Sequence, residues 1–328
     1  MRTLVATLLA FAAGVLLVLW LPLHAPASKA APLVAPASPA GAPADAGDDA
    51  TANWPDRAPT PEQVLYAQPQ LVRRALAGLT PRVPGQPNLY AIAFAGDGSE
   101  NVFRNEARYM AHAFPARLGP STHVLVLENN PGSLASRPLA TWSNLEDALD
   151  GLARIMHPED ILMLYITTHG SEDHELLVDM DPLPLDQIDA DDLAGILKEH
   201  PFNWKVIVVN ACYSGGFIPP LRAPGTLVLT AARGDRSSFG CGSESELTYF
   251  GHAWLVDGLN HSDDFVTAFD TAKAEIAKWE QQDKLTPSEP QMDVGSGIAA
   301  QLATWRKGVK VGAAVPFAPA SPALAARR

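Results

Sequence analysis

Cys212 and His169 are the residues whose type and setting could support covalent chemistry. His169 stands in Thr167-Thr168-His169-Gly170, directly after the apolar run Ile161-Leu162-Met163-Leu164-Tyr165-Ile166. Cys212 stands in Asn210-Ala211-Cys212-Tyr213-Ser214-Gly215-Gly216, directly after Val206-Ile207-Val208-Val209. The thiolate is the nucleophilic form of cysteine, and an imidazole can hold it as an ion pair or carry a proton to a leaving amine. Gly170 has no Cβ and allows a close approach, so its N–H and that of Cys212 are candidate donors to a developing oxyanion. Either residue alone is better explained as a core cysteine or a structural histidine. At the ends of successive apolar runs they form a candidate dyad.

For the two side chains to meet, the runs that carry them must be neighbouring strands. Leu89–Ala95, His123–Leu127, Ile161–Ile166, Val206–Val209 and Leu227–Leu229 have the near-continuous apolar character of strands buried on both faces. Helical spacing separates them: Ala107, Met110, Ala111 and Phe114 after the first run, Leu149, Leu152 and Ile155 after the second, and Leu193, Ile196 and Leu197 from about Asp189. Ser143-Asn144-Leu145-Glu146 has the form of a capping box, and a small hairpin is expected around Glu175–Met180. Ser262 is the expected cap of a helix aligning Phe265, Phe269, Ala272, Ile276 and Trp279, and a last short helix is expected over Ile298–Trp305. This alternation predicts an α/β three-layer sandwich, a mainly parallel sheet with helices on both faces. Such sheets bind ligands beyond the carboxyl ends of their strands, where His169 and Cys212 fall, and adjacent strands lie about 4.8 Å apart.

The rest of the sequence narrows the alternatives. Arg2 and the apolar run Leu4–Leu23 read as an export signal, with Ala25-Pro26-Ala27 resembling a cleavage site. The run is also nearly long enough to span a bilayer, so residues 1–27 serve as a cleaved signal peptide or as an anchor in the membrane. Either role places the body outside the cytoplasm, in the periplasm or on the outer face of the inner membrane. Residues 28–59 and 311–328 are rich in Ala and Pro and read as a linker and a tail around one domain over 60–310. The net charge of −12 carries no Lys/Arg stripe, which disfavours a nucleic-acid partner. Two cysteines in an exported chain permit a Cys212–Cys241 disulfide, whereas a nucleophilic Cys212 requires them apart. His169 with Asp173 and His174, and the acidic residues between Asp179 and Asp192, lack metal-ligand spacing, so no metal is expected. Gly96-Asp97-Gly98 lacks the third glycine of a dinucleotide fingerprint and reads as a turn, there is no Gly-x-Ser-x-Gly elbow, and no cofactor is implied.

His-Gly after one apolar strand and Ala-Cys after the next resembles the paired signature of the caspase, gingipain and legumain group, and the detail is similar to legumain. Thr230-Ala231-Ala232, Ser237-Ser238-Phe239-Gly240-Cys241 and Thr248-Tyr249-Phe250-Gly251 resemble the legumain stretch that lines the substrate pocket. Phe103-Arg104-Asn105-Glu106-Ala107 resembles the segment whose Arg contributes to that pocket. The resemblance spans roughly residues 89–260 and implies a caspase-like fold and a cysteine endopeptidase acting on a peptide or protein. In that reading Cys212 is the nucleophile, His169 its proton-transfer partner, and Arg104 and Ser237 are retained pocket residues. Asn210 and His252 stand where legumains carry carboxylates, which implies a pocket more receptive to acidic or carbonyl-bearing side chains. Val102, with Asn101 beside it, lies near the position of the Asn that orients the legumain His. The resemblance also implies that Cys241 is a free thiol. A transamidase or ligase using the same dyad and a non-catalytic peptide-binding module are the alternatives, and the oligomeric state is left open.

Overall fold

The computed structural model describes residues 54–242 and 244–318. The N-terminal apolar run and most of the Ala/Pro-rich linker lie outside the described residues, among which no helix is long and apolar enough to cross a membrane.

The apolar runs form one sheet because their side chains enter cores on both faces, and all of them except the edge strand over Thr122–Glu128 pair on both sides. Strands β1 (Leu89–Ala95), β2 (Thr122–Glu128), β3 (Ile161–Thr167), β6 (Trp204–Asn210) and β7 (Thr226–Thr230) run parallel, and β8 (Gln291–Val294) closes the edge antiparallel to β7. The order is β2-β1-β3-β6-β7-β8. Side chains alternate between the faces with the period-two pleat. Ala93, Met163, Tyr165, Val206 and Val208 meet the layer built from α2 (Asn101–Leu118), α6 (Phe265–Gln282) and α7 (Ile298–Arg306). Ile92, Phe94, Leu164, Ile166, Ile207 and Val209 meet the layer built from α1 (Pro61–Ala77), α3 (Trp142–Ala153), α4 (Ala190–Lys198) and the short α5 (Ile218–Leu221). Each such large side chain, fully buried, contributes about 1.5–3 kcal/mol. The result is the expected three-layer α/β sandwich of caspase-like form.

Several local expectations are corrected. The helix expected to start at a Ser143 cap starts two residues earlier, because Thr141 accepts from Asn144 N–H while Asn144 donates its amide to Gln68 and to the Leu139 carbonyl. Ile155, expected on that helix, lies past its end and is exposed. Asp264 rather than Ser262 caps α6: its carboxylate takes the N–H groups of Val266 and Thr267, and Ser262 instead accepts from Asp264 N–H. No hairpin forms within 175–180, since Glu175–Leu176 (β4) pairs antiparallel with Ile188–Asp189 (β5) farther on. Helix α1 was not anticipated, although Thr60 and Gln63 form a capping box at its start, because Pro69 interrupts its interior. Residues 311–318, grouped by composition with the tail, pack along α2. Gly312 exchanges hydrogen bonds with Arg117, Val315 bonds to Tyr109 and Asn260, and the Phe317 ring lies against Tyr109.

Candidate active site

Strands β3 and β6 are paired in register with Thr167 opposite Asn210, so His169 and Cys212 each lie two residues past the same rung. The two turns touch through Gly170. A Cβ there would collide with the Cys212 carbonyl oxygen, so this glycine allows the histidine turn to lie directly on the backbone of the cysteine turn. Tyr213, next to the cysteine, adopts left-handed backbone (φ 56°), a costly state for a residue with a side chain. It is fastened by Tyr213 N–H to the Arg236 carbonyl and by His174 Nδ1–H to the Tyr213 carbonyl. The N–H groups of Gly170 and Cys212 find no acceptor among the described residues and remain available to a substrate oxygen.

The half-buried Cys212 thiol lies among donors: Ser238 N–H points at Sγ at 3.3 Å and the Ser238 hydroxyl lies at 3.6 Å. Its pKa is pulled down to about 5 by a hydrogen bond from Cys241 first, then by Ser238 and the charge of His169, against a burial penalty. The same proton sharing pushes the Cys241 thiol up. Both cysteines are free, so the disulfide alternative is not the state seen. The His169 ring is partly exposed, meets the edge of Phe103, and directs Nε2 toward Asp97 Oδ2 at 3.5 Å and Glu100 Oε2 at 3.6 Å.

Below this surface lies a buried polar network. The Asn210 amide donates to Glu106 Oε2 at 2.8 Å and lies within 3.3 Å of the Tyr165, Thr167 and Thr248 hydroxyls. Asn210, expected in the substrate pocket, is 1% exposed and acts as a strut, because its amide is engaged by these partners. The carboxylate absent from that strand position comes from α2: Glu106 is fully buried and accepts from Tyr165, Thr167 and the Thr248 N–H. Burial pushes its pKa up against those hydrogen bonds.

The other expected pocket residues are dispersed. Arg104 lies in the first turn of α2 with its guanidinium on Asn130 and Asn105, and Asn105 in turn donates to Glu246 of the loop expected to line the pocket. Burial pushes the Arg104 pKa down. Ser237 is exposed and its neighbour Ser238 is the serine on the sulfur. His252 stacks on Trp279 of α6, 3.8 Å from Asp257. The sequence reading missed the roles of Ser238, Asp97 and Glu100. For Asp97 a signal existed, since it follows the first strand as His169 follows the third.

Residues 144–301 match the sequence model of the Peptidase C13 family, the legumain family. That span contains His169, Cys212 and the loop around Ser238, whereas Asp97, Glu100 and Arg104 precede it. No curated protein matches the chain.

Proposed function

We propose that this chain, which belongs to the legumain-like cysteine peptidases, is an endopeptidase that cleaves through an acyl-enzyme on Cys212, with His169 as general acid and base. The observation that carries the reading is the contact through Gly170, which brings an imidazole turn onto the backbone of a cysteine whose thiol has been pulled down to about 5. In acylation, the Cys212 thiolate adds to the scissile carbonyl carbon and the oxyanion takes the N–H groups of Gly170 and Cys212. The C–N bond then breaks and the amine leaves with a proton from His169. In deacylation, His169 takes a proton from water as the water oxygen attacks the thioester, and the thiolate departs. Arg104 supplies a permanent positive charge for reading an acidic or carbonyl-bearing substrate side chain.

A peptide ending in an acyl electrophile tests the chemistry. One adduct per chain, mapped to Cys212 and absent from Cys212→Ala, is expected. Equal labelling of the two chains would remove the nucleophile assignment. We further propose export through the Leu4–Leu23 run, with the body in the periplasm or on the outer face of the inner membrane. Protease accessibility in osmotically opened cells is the expected result, and a protected cytoplasmic pool would oppose it.

A further inference from the structure

The three central strands end on one rung: Ala95 of β1 is opposite Thr167 of β3, which is opposite Asn210 of β6. Two residues beyond that rung stand Asp97, His169 and Cys212. β1 is also where the strand order reverses, with β2 on one side and β3 on the other, the point at which open parallel sheets place their ligands. An acid, an imidazole and a thiol are therefore presented in a row by three adjacent strands.

The acid arrives already fixed. Gly96 N–H donates to the Thr167 carbonyl, Asp179 N–H to the Gly96 carbonyl and Gly98 N–H to the Asp179 carbonyl, so the turn is fastened to both neighbouring segments. A Cβ on Gly96 would crowd the Leu177 carbonyl and the Thr168 side chain, which accounts for glycine at this close approach. Asp97 is 2% exposed; its Oδ1 takes the Ser99 N–H at 2.7 Å and its Oδ2 faces His169 Nε2 at 3.5 Å. Glu100 Oε2 is buried, makes no hydrogen bond, and lies 3.6 Å from the same nitrogen. No Lys or Arg among the described residues pairs with either carboxylate. A buried carboxylate without a cation is costly, and the imidazole is the group placed to offset it.

The positions where the resemblance leads one to expect an orienting Asn do not serve. Val102 is buried in the core, and the Asn101 side-chain Oδ1 accepts from the Asn130 amide on the β2 side. We propose that Asp97, assisted by Glu100, is the positioning residue of this dyad: its carboxylate takes Nε2–H of His169, holds the ring, and leaves Nδ1 to exchange the proton with the leaving amine and the attacking water. This rests on the reading of His169 as the proton-transfer group. Separations of 3.5–3.6 Å close to hydrogen-bond length by a small ring movement, as catalytic contacts do when substrate binds.

Asp97→Asn is the discriminating variant, because it keeps the Oδ1 that holds the Ser99 turn and turns an amide N–H toward Nε2. The full chain labelled with 15N-histidine, assigned with His169→Gln, reads the tautomer without any substrate. The neutral His169 ring carries its proton on Nε2 in the parent and on Nδ1 in Asp97→Asn. With a cleaved peptide, kcat falls about a hundredfold or more with KM within about twofold, and Cys212 is still alkylated. Glu100→Gln lowers kcat by roughly three- to tenfold, and it is the second test should Asp97→Asn fold poorly. An Nδ1–H parent, or full kcat in Asp97→Asn and in Glu100→Gln, overturns the proposal. If Cys212→Ala is then inactive, the dyad stands without it, and if Cys212→Ala is fully active, the dyad reading has failed as well.

Discussion

The strand ends that carry the dyad and the loop over 237–248 beside them are held by different forces. The strand ends rest on backbone ladders inside an apolar sheet, where successive rungs from Ile161 to Thr167 pair with Trp204 to Asn210. Among its described residues the loop has no ladder: Cys241 and Leu247 sit on the core, and its far end is tied to one buried carboxylate, where Glu106 takes the N–H of Thr248 and the Thr248 hydroxyl lies 2.9 Å from Asn210. A ladder distributes its stability over many weak bonds, whereas a buried network fails when one member is lost. Substitution of the dyad thiol just past the strand ends should therefore remove chemistry and leave the fold, and substitution in the network, which includes the last rung Thr167–Asn210, should do the reverse.

The largest expected effect tests the first half of that contrast. Cys212→Ala lowers kcat/KM by about a thousandfold or more while the thermal midpoint moves by only about 2 °C, because the thiol is only part-buried and supports no ladder bond. Peptide kinetics and a melting curve check it, and a large loss of stability would erase the contrast. Next comes Glu106→Ala, expected to cost about 3 kcal/mol in a urea titration, since it strands the Tyr165, Thr167, Asn210 and Thr248 donors. A cost under about 1 kcal/mol would show that water or rearrangement replaces the carboxylate.

A smaller and graded effect separates the two cysteines. Alkylation of Cys212 follows the thiolate, so its rate is nearly flat at neutral pH and falls roughly tenfold per pH unit below the thiol pKa of about 5. In Cys241→Ala the S–H donor is gone, and the fall begins at a higher pH. A parent midpoint near the ordinary thiol value of about 8.5 would contradict the environment assigned to Cys212. The smallest effect belongs to Arg104. With matched Asp and Asn peptides, Arg104→Ala is expected to lower the preference for Asp about fivefold with kcat on the better peptide unchanged, because this cation reads a side chain and takes no part in bond breaking. Unchanged selectivity would assign the pocket to other residues of the loop.

Residue patterning along the chain was enough for the five parallel strands and the two strand ends that carry the dyad, because buried parallel strands are apolar throughout and the first polar residues after them are conspicuous. The antiparallel edge strand β8, short and half-exposed, carries no such run. The patterning also exposed the family signature at Cys212 and His169. The rest depends on which elements pack together. Asp97 and Glu100 meet His169 because β1 and β3 lie side by side, although many residues separate them in the chain. Ser238 rather than Ser237 reaches the sulfur because of how one loop turns, and nothing in a Ser-Ser pair reveals it. Asn210 resembled a pocket residue until Glu106, from a helix far away in sequence, was seen to engage its amide. Apolar burial repeats along the chain and can be read locally. A hydrogen-bonded carboxylate depends on which elements become neighbours, and that is settled only when the layers pack.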